Sequence, residues 1–137
     1  VHLSSTPNST GSLGGGVRPN STGISAELTG TAQSRLGRWF DTSVFTQPAP
    51  YTFGNLGRSL ADVRSHGINN WDLAFFKNTL FGPEGRFTVQ FRAEFFNLLN
   101  RVQFGFPGQT LGNPQFGIVS SQVNEPRLLQ FALRFSW

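Results

Sequence analysis

Cysteine and methionine are both missing from the 137 residues, and lysine occurs once, as Lys77. Without cysteine there is no disulfide framework, no thiolate zinc or iron–sulfur site and no cysteine nucleophile. Charged residues make up 13% of the chain, about half the ~25% of an average soluble domain. No run of ~18 apolar residues occurs, which excludes a transmembrane helix. The first twenty residues lack a basic start followed by an apolar block, so no secretion signal is expected within them. Histidine is limited to His2 and His66, which have no partner pattern for metal binding or nucleophilic catalysis. The acids Glu27, Asp41, Asp62, Asp72, Glu84, Glu94 and Glu125 show no paired spacing for proton transfer. No catalytic, cofactor-binding or metal-ligating residue is therefore expected, and the chain does not read as an enzyme.

What the chain has in excess is phenylalanine, 15 residues, together with 16 Gly and 8 Pro. The net charge of +4 comes mainly from arginines scattered from Arg18 to Arg134. Unclustered arginines do not make the basic stripe of a nucleic-acid site, so no nucleic-acid partner is expected. Residues 1–37 are rich in Gly, Ser, Thr and Asn and are expected to be poorly ordered. Within them Pro7-Asn8-Ser9-Thr10-Gly11 recurs as Pro19-Asn20-Ser21-Thr22-Gly23. Both copies have the makeup of surface turns, and both match an N-glycosylation acceptor pattern. Gly14-Gly15-Gly16 lacks the downstream residues of a phosphate-binding loop and reads as linker. From Trp39 to Asn70 the chain is more aromatic but broken by Pro48, Pro50 and several glycines. Residues 1–69 are thus expected to form one loop-rich segment.

Beyond residue 69 the pattern changes to a period of two. Trp71, Leu73 and Phe75 alternate with Asp72, Ala74 and Phe76. Phe87, Val89, Phe91, Ala93 and Phe95 then oppose Thr88, Gln90, Arg92 and Glu94. At the end Leu129, Phe131, Leu133, Phe135 and Trp137 oppose Gln130, Ala132, Arg134 and Ser136. Strict alternation marks a strand between two unlike environments. Antiparallel strands are predicted over about 70–79, 86–100 and 127–137. The first two are joined by a tight turn at Phe81-Gly82-Pro83-Glu84-Gly85. The last two are joined by a long loop over 105–126, with a short extended arm near 116–121. Arg92 and Glu94, two residues apart on one face, are placed to form an ion pair.

Two environments suit such stripes: the interior of a soluble β-sandwich, or the lipid face of an outer-membrane barrel whose other face looks into a wet lumen. The alternating runs 87–95 and 129–137 match the ~9–11 residues of a tilted membrane strand better than the ~5–6 of a typical soluble one. Their apolar sides carry no charge, as both environments demand. The aromatic end of the second run suits a membrane interface. The barrel reading makes Phe87, Val89, Phe91 and Phe95 lipid-facing. The competing reading is a secreted soluble β-domain that binds glycans through aromatic loops, supported by Trp39, Tyr51 and Trp71.

The ending Gln130-Phe131-Ala132-Leu133-Arg134-Phe135-Ser136-Trp137 resembles the C-terminal signal by which outer-membrane proteins are recognised by the barrel-assembly machinery, with Leu129, Phe131, Leu133, Phe135 and Trp137 as the signal residues. Phe91-Arg92-Ala93-Glu94-Phe95-Phe96-Asn97-Leu98-Leu99-Asn100 resembles a strand of TonB-dependent receptors that ends in an Asn-Leu-Phe-Asn/Asp element, with Leu99 at the usual Phe position. Tyr51-Thr52-Phe53-Gly54-Asn55, Asn70-Trp71-Asp72-Leu73 and Phe76-Lys77-Asn78 are similar to the Oar-like branch of those receptors. The likeness covers about 39–137.

The resemblance implies an all-β fold: antiparallel transmembrane strands from the C-terminal part of a large outer-membrane barrel, with long irregular loops. It places the turn at 81–85 in the periplasm, and 105–126 and 1–69 outside the cell. A few strands cannot close a barrel of ~22, and no plug or coupling segment is recognisable. The expected partners are therefore outer-membrane lipid, the barrel-assembly machinery, the remaining strands and plug of a longer receptor, and the energising TonB protein only through that missing N-terminal part. The implied role is to supply barrel wall, external loops and the assembly signal for substrate uptake by the full-length protein.

Overall fold

A computed structural model describes residues 1–7 and 17–137. The first copy of the Pro-Asn-Ser-Thr-Gly repeat, from Asn8 onward, and the Gly14–Gly16 linker lie outside the described residues. Among the described residues there are seven strands and no α-helix: β1 (Ser4–Ser5), β2 (Asn20–Ser21), β3 (Phe45–Thr46), β4 (Leu73–Phe81), β5 (Phe87–Phe96), β6 (Thr110–Leu111) and β7 (Leu128–Ser136). Only β4, β5 and β7 are longer than two residues. The fold is all-β with antiparallel long strands.

The chain forms two compact units. One comprises Val1–His66 and Phe104–Gln122; the other comprises Gly67–Gln103 and Val123–Trp137. The change of pattern beyond residue 69 groups everything from residue 70 onward. Instead, most of the long connection between β5 and β7 belongs with the N-terminal segment.

The second unit is a three-stranded antiparallel sheet in the order β4-β5-β7. Its register runs unbroken from Leu73↔Phe95 to Phe81↔Phe87 on one side of β5 and from Phe96↔Leu128 to Thr88↔Ser136 on the other. A turn through Pro83–Gly85 closes the β4–β5 hairpin, and the Phe81 and Phe87 rings stack across its mouth at 5.5 Å. Glycine is required at Gly82, where φ is +84° and an added Cβ would approach the Phe87 ring to 2.6 Å. The ladder continues in one register because β5 and β7 alternate with period two, and a one-residue slip between them would exchange the faces.

The first unit has little regular structure but a real core. β1 pairs in parallel with β6, and β2 pairs antiparallel with β3. Leu3, Ala26, Trp39, Phe40, Val44, Phe45, Leu56, Val63 and Val119 form a buried cluster. Phe40, Phe45 and Phe116 meet edge to face with centroids 5.3–6.1 Å apart, a geometry favoured by the ring quadrupoles. Segments distant in sequence are held by backbone bonds such as Trp39 N–H to Gly117 O at 2.7 Å and Leu60 N–H to Val1 O at 2.8 Å. The expectation that 1–37 is poorly ordered is corrected for 1–7 and 17–37: Leu3, Ser5, Val17, Pro19 and Ala26 are buried. The expected extended arm near 116–121 does not form. That stretch contributes the isolated bridge Gly108↔Phe116, followed by a turn at Gly117.

Candidate functional site

The parity of the ladder sorts the side chains of the sheet onto two faces. One carries Phe87, Val89, Phe91, Ala93 and Phe95 from β5, flanked by Leu129, Phe131, Leu133 and Phe135 from β7 and by Leu73, Phe75 and Phe81 from β4. Trp137 follows β7 and is fully exposed. The residues picked out of the sequence as a stripe are thus brought side by side on adjacent strands. Rings of this face pack on one another: Phe75 and Phe131 each meet Phe95 edge-on, and Phe91 stacks with Phe131. Ala93, whose cross-strand neighbours are Phe75 and Phe131, is left 5% exposed beneath them. Most of the other large side chains are outward and exposed, Phe75, Phe91, Leu133 and Phe135 among them, while Val89 and Phe95 are half-buried.

The other face is predominantly polar. It carries Thr88, Gln90, Arg92 and Glu94 with Gln130, Arg134 and Ser136, and β4 adds Asn78, Phe76 and Leu80. Gln90 Nε2 donates to Asn78 Oδ1 at 2.9 Å. Arg92 pairs with Glu94 through Nη2 and Oε1, and its guanidinium lies 5.1 Å from the Phe76 ring centroid. An exposed pair of this kind contributes little stability; its effect is to keep both charges on one side.

Two β4 residues break the rule: Thr79, across from Val89, is polar, and Lys77 is charged. Lys77 lies on the apolar face, directly across from Phe91. The face of Lys77 is hidden in the sequence, because the alternation in β4 is blurred by the Phe75–Phe76 pair.

At one end of the sheet a set of polar side chains ties the three strands together. Asn97 follows β5 in the left-handed region, φ 49°, which asparagine tolerates better than most residues. Its backbone N–H donates to Asp72 Oδ1 at 2.8 Å, just before β4. Its Nδ2 donates to Arg101 O and to Glu125 O, both at 3.1 Å, and its Oδ1 accepts from Arg101 N–H at 2.9 Å. Asn100, also at φ 49°, accepts from Arg127 N–H at 3.1 Å, just before β7. Asn124 Oδ1 accepts from Gln103 N–H at 2.7 Å. Leu98 N–H donates to Trp71 O at 2.8 Å. The Asn97–Asn100 element is therefore a clasp joining the beginnings of β4 and β7 to the end of β5. A depression of about 470 Å³ opens beside it, lined in part by Asp72, Phe96, Asn97, Glu125 and Leu128. The sequence offered the element only as a likeness; its bonds are visible only in three dimensions.

A family model, described as outer membrane beta barrel domain, matches residues 1–130. The chain belongs to that family. No curated protein and no solved structure matches it. Barrels of this family's kind reside in the outer membrane, with antiparallel strands apolar on one face and polar on the other, and the sheet here has both features. Three strands leave the barrel wall open: β4 and β7 are edges, each paired on one side only among the described residues.

The loop unit adds two anchored carboxylates. Asp62 Oδ2 accepts from Ser25 Oγ–H at 2.7 Å and from Ala26 N–H at 2.9 Å, and the Ser25 hydroxyl chiefly holds its carboxyl below the usual range. Asp41 caps the turn Thr42–Val44; the hydroxyl and then the backbone N–H of Ser43, with Arg38 beside them, lower it likewise. Trp39, which on sequence supports the glycan-binding alternative, is 2% exposed. It is a core residue whose indole N–H donates to Arg64 O at 2.8 Å. It therefore cannot serve as a stacking platform, whereas Tyr51 and Trp71 are exposed. No group of three or more acidic or histidine side chains is close enough to hold a metal among the described residues.

Proposed function

We propose that the chain is barrel wall and external loops of an outer-membrane TonB-dependent receptor of the Oar-like branch, acting in substrate uptake as part of a longer protein. The observation that carries the reading is the uncovered apolar stripe on three adjacent strands of nine or ten residues. Left in water, so many exposed rings would be an aggregation surface; against lipid they need no cover. Nine residues rising ~3.3 Å each at a tilt near 40° reach about 23 Å, close to the ~25 Å apolar band of such barrels. Phe87, Val89, Phe91 and Phe95 then touch hydrocarbon, and Arg92, Glu94 and Arg134 face the lumen. The receptor assignment draws on the likenesses at 51–55, 70–78 and 91–100, and on the clasp that the last of these forms.

Short periplasmic turns and long external loops are the pattern of these barrels. The Pro83–Gly85 turn accordingly lies in the periplasm and the clasp at the outer surface. The remaining wall strands, a plug and the coupling segment for the energising protein come from outside this chain. The stripe Leu129, Phe131, Leu133, Phe135 and Trp137 is read by the barrel-assembly machinery.

The face assignment is tested by expressing the chain, within its longer reading frame, with an export signal and fractionating the membranes. Phe91→Arg places a cation at mid-depth among lipid tails, at a cost of roughly 2–4 kcal/mol, and assembly is expected to fail. Gln90→Arg, on the lumen face, should assemble normally. Equal behaviour of the two variants refutes the assignment. The receptor assignment is tested by the coding sequence upstream of Val1, which should encode a plug and further strands.

A further inference from the structure

Lys77 is the fifth of the nine residues of β4. Its level on the apolar face is the middle one: Leu73 and Phe75 lie toward one end, Thr79 and Phe81 toward the other, and Phe91 and Leu133 lie beside it. At a rise of ~3.3 Å per residue and a tilt near 40°, the ammonium's strand position is about 10 Å from either end of the apolar band. Snorkelling to head groups serves residues near the ends of a span, so it does not relieve this one. Among the described residues Lys77 has neither an ion pair nor a side-chain hydrogen bond. The same face of β5 and β7 has no polar side chain at this level or its neighbours.

The sheet leaves one direction from which an anion can come. Phe91 fills the β5 side of Lys77, and the other side is the free edge of β4. The acids of the sheet unit are committed elsewhere or misplaced. Glu94 pairs with Arg92 on the opposite face, Asp72 holds Asn97 N–H at the clasp, Glu84 lies in the turn, and Glu125 lies before β7 beside the clasp. A second copy does not fit. Pairing Leu73–Phe81 antiparallel with itself in full overlap brings Lys77 opposite Lys77, because 77 is the midpoint of the strand, and like charges directly opposite are destabilising. In-register parallel pairing has the same consequence.

We propose that the free edge of β4 is completed by a wall strand of the same barrel that carries an Asp or Glu directly opposite Lys77, with apolar side chains two residues to either side. The lysine then selects the correct neighbour by forming an ion pair at mid-depth, and rejects self-pairing of the edge before the wall closes. Lone charges are a known guard on exposed strand edges; here the guard and the recognition element are one residue. The proposal rests on the barrel face assignment, and it stands whether or not the barrel is a TonB-dependent receptor.

The test uses the full chain in detergent micelles and nine-residue strand peptides with apolar residues alternating with threonine and Glu, Leu or Lys at the central outward position. The Glu peptide is expected to bind at least tenfold more tightly than the Leu or Lys peptide, by fluorescence anisotropy of a labelled N-terminus. Lys77→Glu should invert the preference in favour of the Lys peptide, with the circular dichroism of the sheet unchanged. Lys77→Leu should produce edge-paired dimers by sedimentation where the parent chain is monomeric. Equal binding of the Glu and Leu peptides, no binding of any peptide, a preference unaltered in Lys77→Glu, or a monomeric Lys77→Leu each overturns the proposal. The comparison of Phe91→Arg with Gln90→Arg separates failure of this pairing from failure of the face assignment.

Discussion

Asn97→Ala is the substitution that should most damage the end of the sheet. The Asn97 side chain is 6% exposed and makes three hydrogen bonds, two donated to Arg101 O and Glu125 O and one accepted from Arg101 N–H. Each contributes about 1 kcal/mol net. Truncation also leaves buried backbone groups of Arg101 and Glu125 without these partners, and places alanine at φ 49° at an extra ~1 kcal/mol. The expected loss is roughly 3–5 kcal/mol. Asn97→Gly keeps the left-handed backbone without strain and should lose only the side-chain bonds, roughly 3 kcal/mol. Asn100→Ala gives up one exposed bond, to Arg127 N–H at 3.1 Å, and should lose about 1–2 kcal/mol including the backbone cost. The assay is urea unfolding of each variant in detergent micelles, followed by tryptophan fluorescence, since Trp71 is bonded to Leu98 in the clasp. If Asn97→Ala costs less than Asn100→Ala, the clasp does not hold the three strands.

The loop unit yields three further expectations. Trp39→Ala should cost about 3–5 kcal/mol as a large core truncation, whereas Trp39→Phe should cost about 1 kcal/mol for the lost bond to Arg64 O; thermal melts of the two distinguish core packing from a surface role. Gly54→Ala drives a Cβ into the carbonyl oxygens of Arg18 and Pro19, and protease sensitivity of the loops should rise as overpacking removes about 1–3 kcal/mol. Asp62 is lowered by its bond from Ser25, so the folded state holds its proton less tightly than the unfolded one. The stabilisation is present above the ordinary carboxylate value of 3.8 and is lost as pH falls from there through the folded value. Asp62→Asn should flatten that acid limb in hydrogen exchange at Ala26 N–H, and an unchanged limb refutes the assignment.

The loop-rich segments fold around a core of their own. Their core of Leu3, Trp39, Phe40, Phe45 and Val119 is contributed by two stretches that are far apart in the sequence. Long connections rich in Gly, Pro and Asn can therefore present a fixed surface. Backbone bonds such as Val119 N–H to Leu36 O at 2.9 Å hold the stretches together.

The sequence by itself determined the sheet. Alternation with period two is a local property, and Phe87 through Phe95 and Leu129 through Phe135 announce their shared face without reference to any partner strand. The tight turn around Gly82 and Pro83 is local in the same sense. The ion pair of Arg92 with Glu94 also follows from parity alone. What the alternation left open was register, and register is a tertiary quantity. Only the pairing of β4 with β5 sets Lys77 across from Phe91. Only the closeness of three strand ends makes Asn97 a clasp rather than a turn residue. The core of the loop unit was illegible for a related reason. Its residues follow no period, and burial of Trp39 depends on segments that chain distance gives no reason to bring together. Hydrophobic contacts of that kind are decided when the whole unit packs.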